Sequence, residues 1–467
     1  MLEKKEQIAT FIRRNITRKL ADRQYMSINL LEAPLLAFIL GYISKFSSNG
    51  VYSFADNKNY PVFIFMSVIV ALFIGLTVSA EEIFRDRKIL EREKFLNLSR
   101  LSYLVSKINF LFALSAIQTL SFILVANLIL DTKGMLFENW LILFSTACFG
   151  NMMGLNISAG MRSAVSIYIL IPLILVPQLL LGGAMIKFDE LHSSMSRKIY
   201  VPIVGDIMVT RWAYEAISVE QFRRNKSEKP FFNLDTEISQ TEWYASFLIP
   251  ALKTTLNEIT AGKKDPENKT DVEKDFKKLN YHLTELAAIS KVNPGNLMSR
   301  LNYSAFTDSV GVETKAYIDS LRTVFRIKNR ELSEKRNSLY KEISGKMGEE
   351  EFLKTKSENY NENLANIVLN RLNTGKIYDA GNRFIQKADP VFMKPGSKYG
   401  RTHFFAPYKQ IGNLKIGTLV FNVIVIWVII ALLFITLYYN VLKRSIVFLE
   451  SLKLPIVRKY GRDLLQL

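Results

Sequence analysis

Long apolar runs alternate with densely charged stretches along this 467-residue chain, which predicts a membrane helix bundle interrupted by one large polar insertion. Five or six windows are apolar enough, over the roughly 17–25 residues a bilayer demands, to cross as helices. They fall at 28–44, 62–78, 110–130, 140–159, 164–185 and 416–441. Ahead of them, residues 1–25 repeat apolar side chains at Ile8, Phe11, Ile12, Ile16 and Leu20 with Arg and Lys opposite. That spacing predicts an amphipathic helix lying along the membrane interface.

The windows differ in character. The fourth, at 144–160, is rich in small and amide residues, so it packs inward, and Asn151 and Asn156 need partners on neighbouring helices. Pro172 and Pro177 should break and kink the fifth, which ends at Gly182-Gly183. The segment 187–222, with Arg211, Trp212 and Tyr214, is only intermittently apolar and reads as interfacial or re-entrant. From 223 to 406 the chain is polar, with helical periodicity at 304–345 and 350–373 and loop clusters at 292–296 and 395–400. The predicted fold class is an all-α membrane protein. It has six spans (26–186 holding the first five, 407–467 the sixth and a tail), a connecting helix, a cytoplasmic elbow and a mostly helical external domain.

Net charge is +18, and its location decides its meaning. Seven Lys/Arg precede Met26, seven lie in the 81–107 elbow, and six follow the sixth window, Lys443 to Arg462. The short connections at 46–60 and 131–139 hold only Lys58 and Lys133. The positive-inside rule therefore puts both termini and the elbow in the cytoplasm and the 223–406 segment outside. Topology, not nucleic acid, explains the basic excess. The single cysteine, Cys148, sits in the fourth window, so the external segment has no disulfide, and a bacterial inner membrane is the expected home.

Catalytic chemistry is not in view. No GxxxxGK[ST] phosphate loop occurs, and AGKKD (261–265) and SGKMG (344–348) lack its spacing. His192, His282 and His403 are far apart, without metal-ligand spacing, and read as solvated or structural. No enzyme activity, metal or cofactor is expected on this chain. Glu32, beside Pro34 near the cytoplasmic end of the first window, has two readings: a capping or snorkelling acid, or a participant in substrate gating.

RDRKILERE (85–93), SYLVSK (102–107), IPLILVPQLLLGG (171–183), TRWAYEAISVEQF (210–222) and APYKQIG followed by FNVIVIW (406–412, 421–427) occur in this order. Together they resemble the transmembrane half of an ATP-binding cassette exporter of the white/pleiotropic-drug-resistance type, subfamily G, in its bacterial members. The resemblance covers roughly 1–222 and 403–467. It implies a coupling helix docking on a nucleotide-binding domain, ATP and Mg held by that partner, and function as a dimer with a second permease copy. It also places the kink and exit at Pro172, Pro177, Gln178 and Gly182, and a return segment at Arg211, Trp212 and Glu215. No nucleotide-binding domain lies ahead of the first window in this sequence, so the ATPase is expected either as a separate subunit or as an upstream portion, and the insertion is much larger than the usual loop.

The elbow itself interleaves Arg85, Arg87, Lys88, Arg92 and Lys94 with Asp86, Glu91 and Glu93, which suits a charged groove on a partner. Glu82 can pair within the elbow or with the connecting helix. A plainer alternative is a solvated loop whose charges only enforce topology. The expected function is a permease subunit moving a lipophilic or amphipathic substrate outward, in contact with membrane lipid, with a periplasmic adaptor as a further candidate partner for 223–406. The rival is a membrane-anchored scaffold whose external domain binds envelope partners.

Overall fold

The structure is a computed structural model that describes residues 4–47, 50, 52–92, 99–263 and 268–451. Glu93, Lys94, Lys453, Arg458, Lys459 and Arg462 lie outside the described residues. The bundle is built from α1 (Lys4–Ala21), α2 (Arg23–Ser44), α3 (Tyr60–Ser79), α4 (Glu82–Arg92), α5 (Arg100–Leu130), α6 (Leu136–Gly160) and α7 (Ala164–Leu180). A short α8 (Ile203–Asp206) then leads into α9 (Val209–Arg224). Polar residues follow as α10 (Phe232–Trp243), α11 (Ile249–Gly262), α12 (Lys269–Ser290), α13 (Leu297–Arg300), α14 (Asp308–Met347), α15 (Glu349–Asn359) and α16 (Glu362–Val368). Two antiparallel hairpins, β1–β2 (Ile377–Asp379, Phe384–Gln386) and β3–β4 (Tyr408–Ile411, Leu414–Gly417), precede α17 (Thr418–Tyr438) and α18 (Val441–Ser451).

Among the described residues five helices are long and apolar enough to cross a membrane: α2, α3 with its continuation into α4, α5, α6 and α17. The predicted fifth span is the 17-residue α7, at the lower end of the roughly 17–25 residues a bilayer demands, and at 1.5 Å per residue it reaches about 25 Å. It also runs unbroken through Pro172 and Pro177, where the sequence suggested a break. Ser163 caps its start by accepting from the Ser166 amide (3.2 Å), and Gly183 turns the chain beyond its end with φ +82°.

The tightest packing joins α3 to α6. A Cβ on Gly75 would stand 2.2 Å from the Ala147 carbonyl oxygen, and one on Gly150 2.6 Å from that of Leu72. Backbone thus meets backbone along Gly75, Gly150 and Gly154, the close approach that small residues permit in lipid. Amide side chains of α6 tie it to its other neighbours. Asn151 Nδ2 donates to Ser115 Oγ on α5 (2.7 Å), and Asn156 Nδ2 to the Leu433 carbonyl on α17 (3.0 Å).

The fold is mostly helical, but the sequence reading missed both hairpins. APYKQIG supplies β3, whose edge is extended by a bridge between Tyr399 and Ile411. The polar module has a hydrophobic core of its own, including Leu252, Leu279, Leu283, Ile318, Leu321 and Phe325. A five-residue π turn, Tyr244–Leu248, lies inside its first helical run, where Pro250 removes an amide from the regular ladder.

The module rests on one end of the bundle. Asn361 Nδ2 donates to the carbonyls of Phe54 (2.7 Å) and Asn57 (3.0 Å), and Lys133 pairs with Glu358 at 2.8 Å. The helices α1, α4 and α18 gather at the opposite end, where Arg100 donates to the Leu437 carbonyl (3.0 Å).

Candidate functional site

The elbow forms around a buried ionic ladder. From α4, Glu82 and Asp86 stand one turn apart on the same face, turned toward α1 and α5. Lys107 Nζ on α5 lies 2.8 Å from Glu82 and 2.7 Å from Asp86. From α1, Lys19 pairs with Glu82, Arg18 pairs with Asp86 at 3.0 Å, and Asn15 accepts from Lys107 at 3.4 Å. Tyr103 OH on α5 donates to Asp86 at 3.1 Å, and its ring stands edge-on to Phe11 of α1. Burial pushes Lys19 below the ordinary lysine range although Glu82 pulls it back.

The amphipathic face predicted for α1 divides. Phe11, Asn15 and Lys19, spaced by four, pack inward, while Ile16 and Leu20 remain exposed.

Two further contacts fix the start of α4 to the end of α6. The amides of Ile83 and Phe84, which no carbonyl within the helix can take, donate to Ser158 Oγ at 3.0 and 2.9 Å. Arg87 donates to the carbonyls of Met161 (2.8 Å) and Ala159 (3.4 Å), satisfying the last turn of α6. The elbow is therefore bonded to α1, α5 and α6 together.

Its acids being turned inward, α4 presents a basic outer stripe of Arg85, Lys88 and Arg92, all exposed, at i, i+3 and i+7. Arg85 pairs with Glu81, and Arg92 Nε donates to the Lys88 carbonyl (3.3 Å). Among the described residues of the elbow, Glu81 and Glu91 are the acids that stand with these three cations.

Residues 6–222 match the family described as ABC-2 type transporter. The match spans α1 to α9 and supports a permease component of an ATP-binding cassette transporter, whose partner is an ATP-binding subunit. It ends before the polar module. A search of curated proteins found no match.

Within the ABC-2 match, Gln178, Gly182, Arg211, Trp212 and Glu215 collect at the other end of the bundle, around α9. Gln178 Oε1 on α7 accepts from the Thr210 amide (3.2 Å), and the Thr210 hydroxyl donates to the Gln178 carbonyl (2.6 Å). A Cβ on Gly182 would meet the Phe65 ring at 2.7 Å. Every residue from Val209 to Phe222 is buried, so α9 is enclosed by the bundle although its sequence is only intermittently apolar.

Pairing is what makes this burial tolerable. Glu215, fully buried, lies 2.6 Å from Lys409 Nζ on β3 and 3.5 Å from Arg211, and accepts from Asn422 of α17 at 2.9 Å. Lys409 also donates to Thr402 Oγ1 (2.8 Å), and the Arg211 guanidinium stacks 3.8 Å over Trp212. Burial lowers Lys409 to about 8, against the pull of Glu215. Glu32 stands apart from both clusters, half-buried on α2.

The sequence reading singled out neither Lys107, Ser158 nor Lys409. Lys107 carried a usable signal, a cation two turns inside a largely apolar helix. The other two reveal themselves only through partners 74 and 194 residues away.

Proposed function

We propose that the chain is the permease subunit of an ATP-driven exporter of the subfamily G type. It moves a lipophilic or amphipathic substrate outward across a bacterial cytoplasmic membrane, as a dimer driven by partner nucleotide-binding domains. ATP and Mg belong to those partners. The observation that carries this reading is the elbow. Its basic stripe, Arg85, Lys88 and Arg92, is exposed toward an acidic face on the ATPase, while its inner face is bonded to α1, α5 and α6. A push on α4 cannot be absorbed locally and is delivered to three helices at once. The positive-inside asymmetry supports a cytoplasmic elbow and an external module. The short α7, the Gln178–Thr210 contact and the enclosed α9 support an outward exit region beside the module.

Charge reversal tests the coupling. In a reconstituted complex, Arg85→Glu with Arg92→Glu should leave ATP turnover running while transport per ATP falls at least tenfold. Unchanged coupling would remove the mechanism, and labelling that puts the elbow outside would remove the topology.

A scaffold role for the module draws support from one feature. The 40-residue α14 leaves the module core after Leu332, and its last turns are largely exposed. Full export after deletion of 230–400 would favour that separate role.

A further inference from the structure

A cavity of about 210 Å³ lies where the end of α7, the segment after it and the polar module meet. Its floor is aromatic. Phe188 and Phe404 pack edge to face at 5.1 Å, Phe404 and Phe405 lie 4.1 Å apart, and Tyr214 of the enclosed α9 meets Phe405 at 5.9 Å. Tyr214 in turn packs against Phe65 of α3, so the floor is continuous with the bundle core. Gly183 makes the floor possible, since a Cβ there would stand 2.7 Å from the Phe188 ring and 2.9 Å from that of Phe404.

The cavity wall has the opposite character. Lys187, Arg197, Lys198 and Lys387 line it, with Asp189 as the one acidic side chain among the lining residues. Asp189 is already engaged, accepting from Lys387 at 2.8 Å on its carboxylate and from Lys198 at 2.5 Å on its carbonyl. Lys187 reaches Glu190 only at 3.5 Å with both exposed, and Arg197 has no ion pair or hydrogen bond among the described residues. Positive charge therefore stands uncompensated beside an apolar floor. Such a site favours a molecule with an anionic head and a hydrophobic body, because the floor gains from burial and the wall from charge-assisted hydrogen bonds.

We propose that this cavity binds an anionic amphipath, its carboxylate or phosphate held by Lys187, Arg197 and Lys198 and its apolar part laid against Phe188, Phe404 and Phe405. Its role as a station on the export route rests on the permease reading above, whereas binding itself does not. The same chemistry is offered by an anionic phospholipid and by a free long-chain acid.

Parinaric acid, a fluorescent long-chain carboxylate, is added to the purified full chain in non-ionic detergent, and binding is read by energy transfer from tryptophan. Saturable binding is expected, weakened at least tenfold in Lys187→Glu/Arg197→Glu, whose side chains are exposed. The alcohol of the same chain length should compete at least tenfold more weakly than the acid, a comparison that needs no variant. Equal competition by the alcohol, or unchanged affinity in a folded double variant, overturns the proposal.

Lipid discs then separate the two sources. Loss of parinaric acid binding only in discs of anionic phospholipid identifies the lipid as occupant, and binding in both anionic and zwitterionic discs identifies a free acid. Absence of binding in zwitterionic discs overturns the proposal. None of these measurements uses ATP, so an elbow variant that stays coupled would end the permease reading and leave this one standing.

Discussion

Lys107 Nζ lies 2.7 Å from an Asp86 carboxylate oxygen, both buried at the junction of α1, α4 and α5. The same ammonium is 2.8 Å from Glu82, so one cation sits between two acids one turn apart. Lys107→Met removes the shared partner and leaves Glu82 with Lys19 and Asp86 with Arg18 and the Tyr103 hydroxyl. A loss of about 3–5 kcal/mol is expected, read as a lowered Tm in detergent. Replacing the set together, with Lys19→Met, Glu82→Gln and Asp86→Asn added, should recover most of that loss, since Arg18, the cation left without its partner, is half-exposed. A quadruple variant as unstable as Lys107→Met would mean that packing, not charge, explains the junction.

Ser158 acts as a helix cap supplied from another helix. Its hydroxyl oxygen takes the Ile83 and Phe84 amides at the start of α4. Ser158→Ala should cost about 1 kcal/mol, equivalent to about fivefold faster amide exchange at these two positions. Ser158→Thr keeps the oxygen and should keep the protection. Exchange that is unchanged in the alanine variant would show that the two amides are guarded by burial alone.

The apolar windows were legible because bilayer thickness imposes a length that hydropathy can measure, and α2, α3, α5, α6 and α17 all lie where the windows predicted. The shortness of α7 was not legible: the apolar run continues to 185, but Gly182-Gly183 turn the chain and end the helix at Leu180. The enclosure of α9 was hidden for another reason. Its Arg211 and Glu215 look solvent-seeking until Lys409 and Asn422 arrive from 194 and 207 residues downstream of Glu215. The elbow's charges were visible but not their direction. Only the fold shows that Glu82 and Asp86 turn inward and that Arg85, Lys88 and Arg92 turn out.

Two glycine-to-alanine changes should move stability in opposite directions. At Gly75 the new methyl would meet the Ala147 carbonyl oxygen of α6 at 2.2 Å, forcing two close-packed backbones apart. A loss of about 1–3 kcal/mol is expected. At Gly345, in the exposed part of α14, no heavy atom lies within 4 Å of the added Cβ. Helix propensity alone acts there, for a gain of up to about 1 kcal/mol. Thermal unfolding in one detergent checks both, and a stable Gly75→Ala protein would show that the α3–α6 contact yields more easily than its geometry implies.

Acid should loosen the module end of the chain through His403. Enclosure beside the cavity lowers this imidazole to about 4, while its Nε2–H donates to the Pro390 carbonyl at 2.8 Å, which works the other way. The unfolded chain takes up a proton near pH 6.5 and the folded chain only near 4. Stability is therefore unaffected above about pH 6.5 and falls as pH drops through that interval. The ceiling on this effect is about 3 kcal/mol, and less is expected because part of the ring stays open to the cavity. His403→Gln preserves a donor to Pro390 but cannot titrate, so its stability should stay flat between pH 6.5 and 4 relative to the parent. Parallel slopes for the two proteins would assign the acid sensitivity to the carboxylates of the module instead.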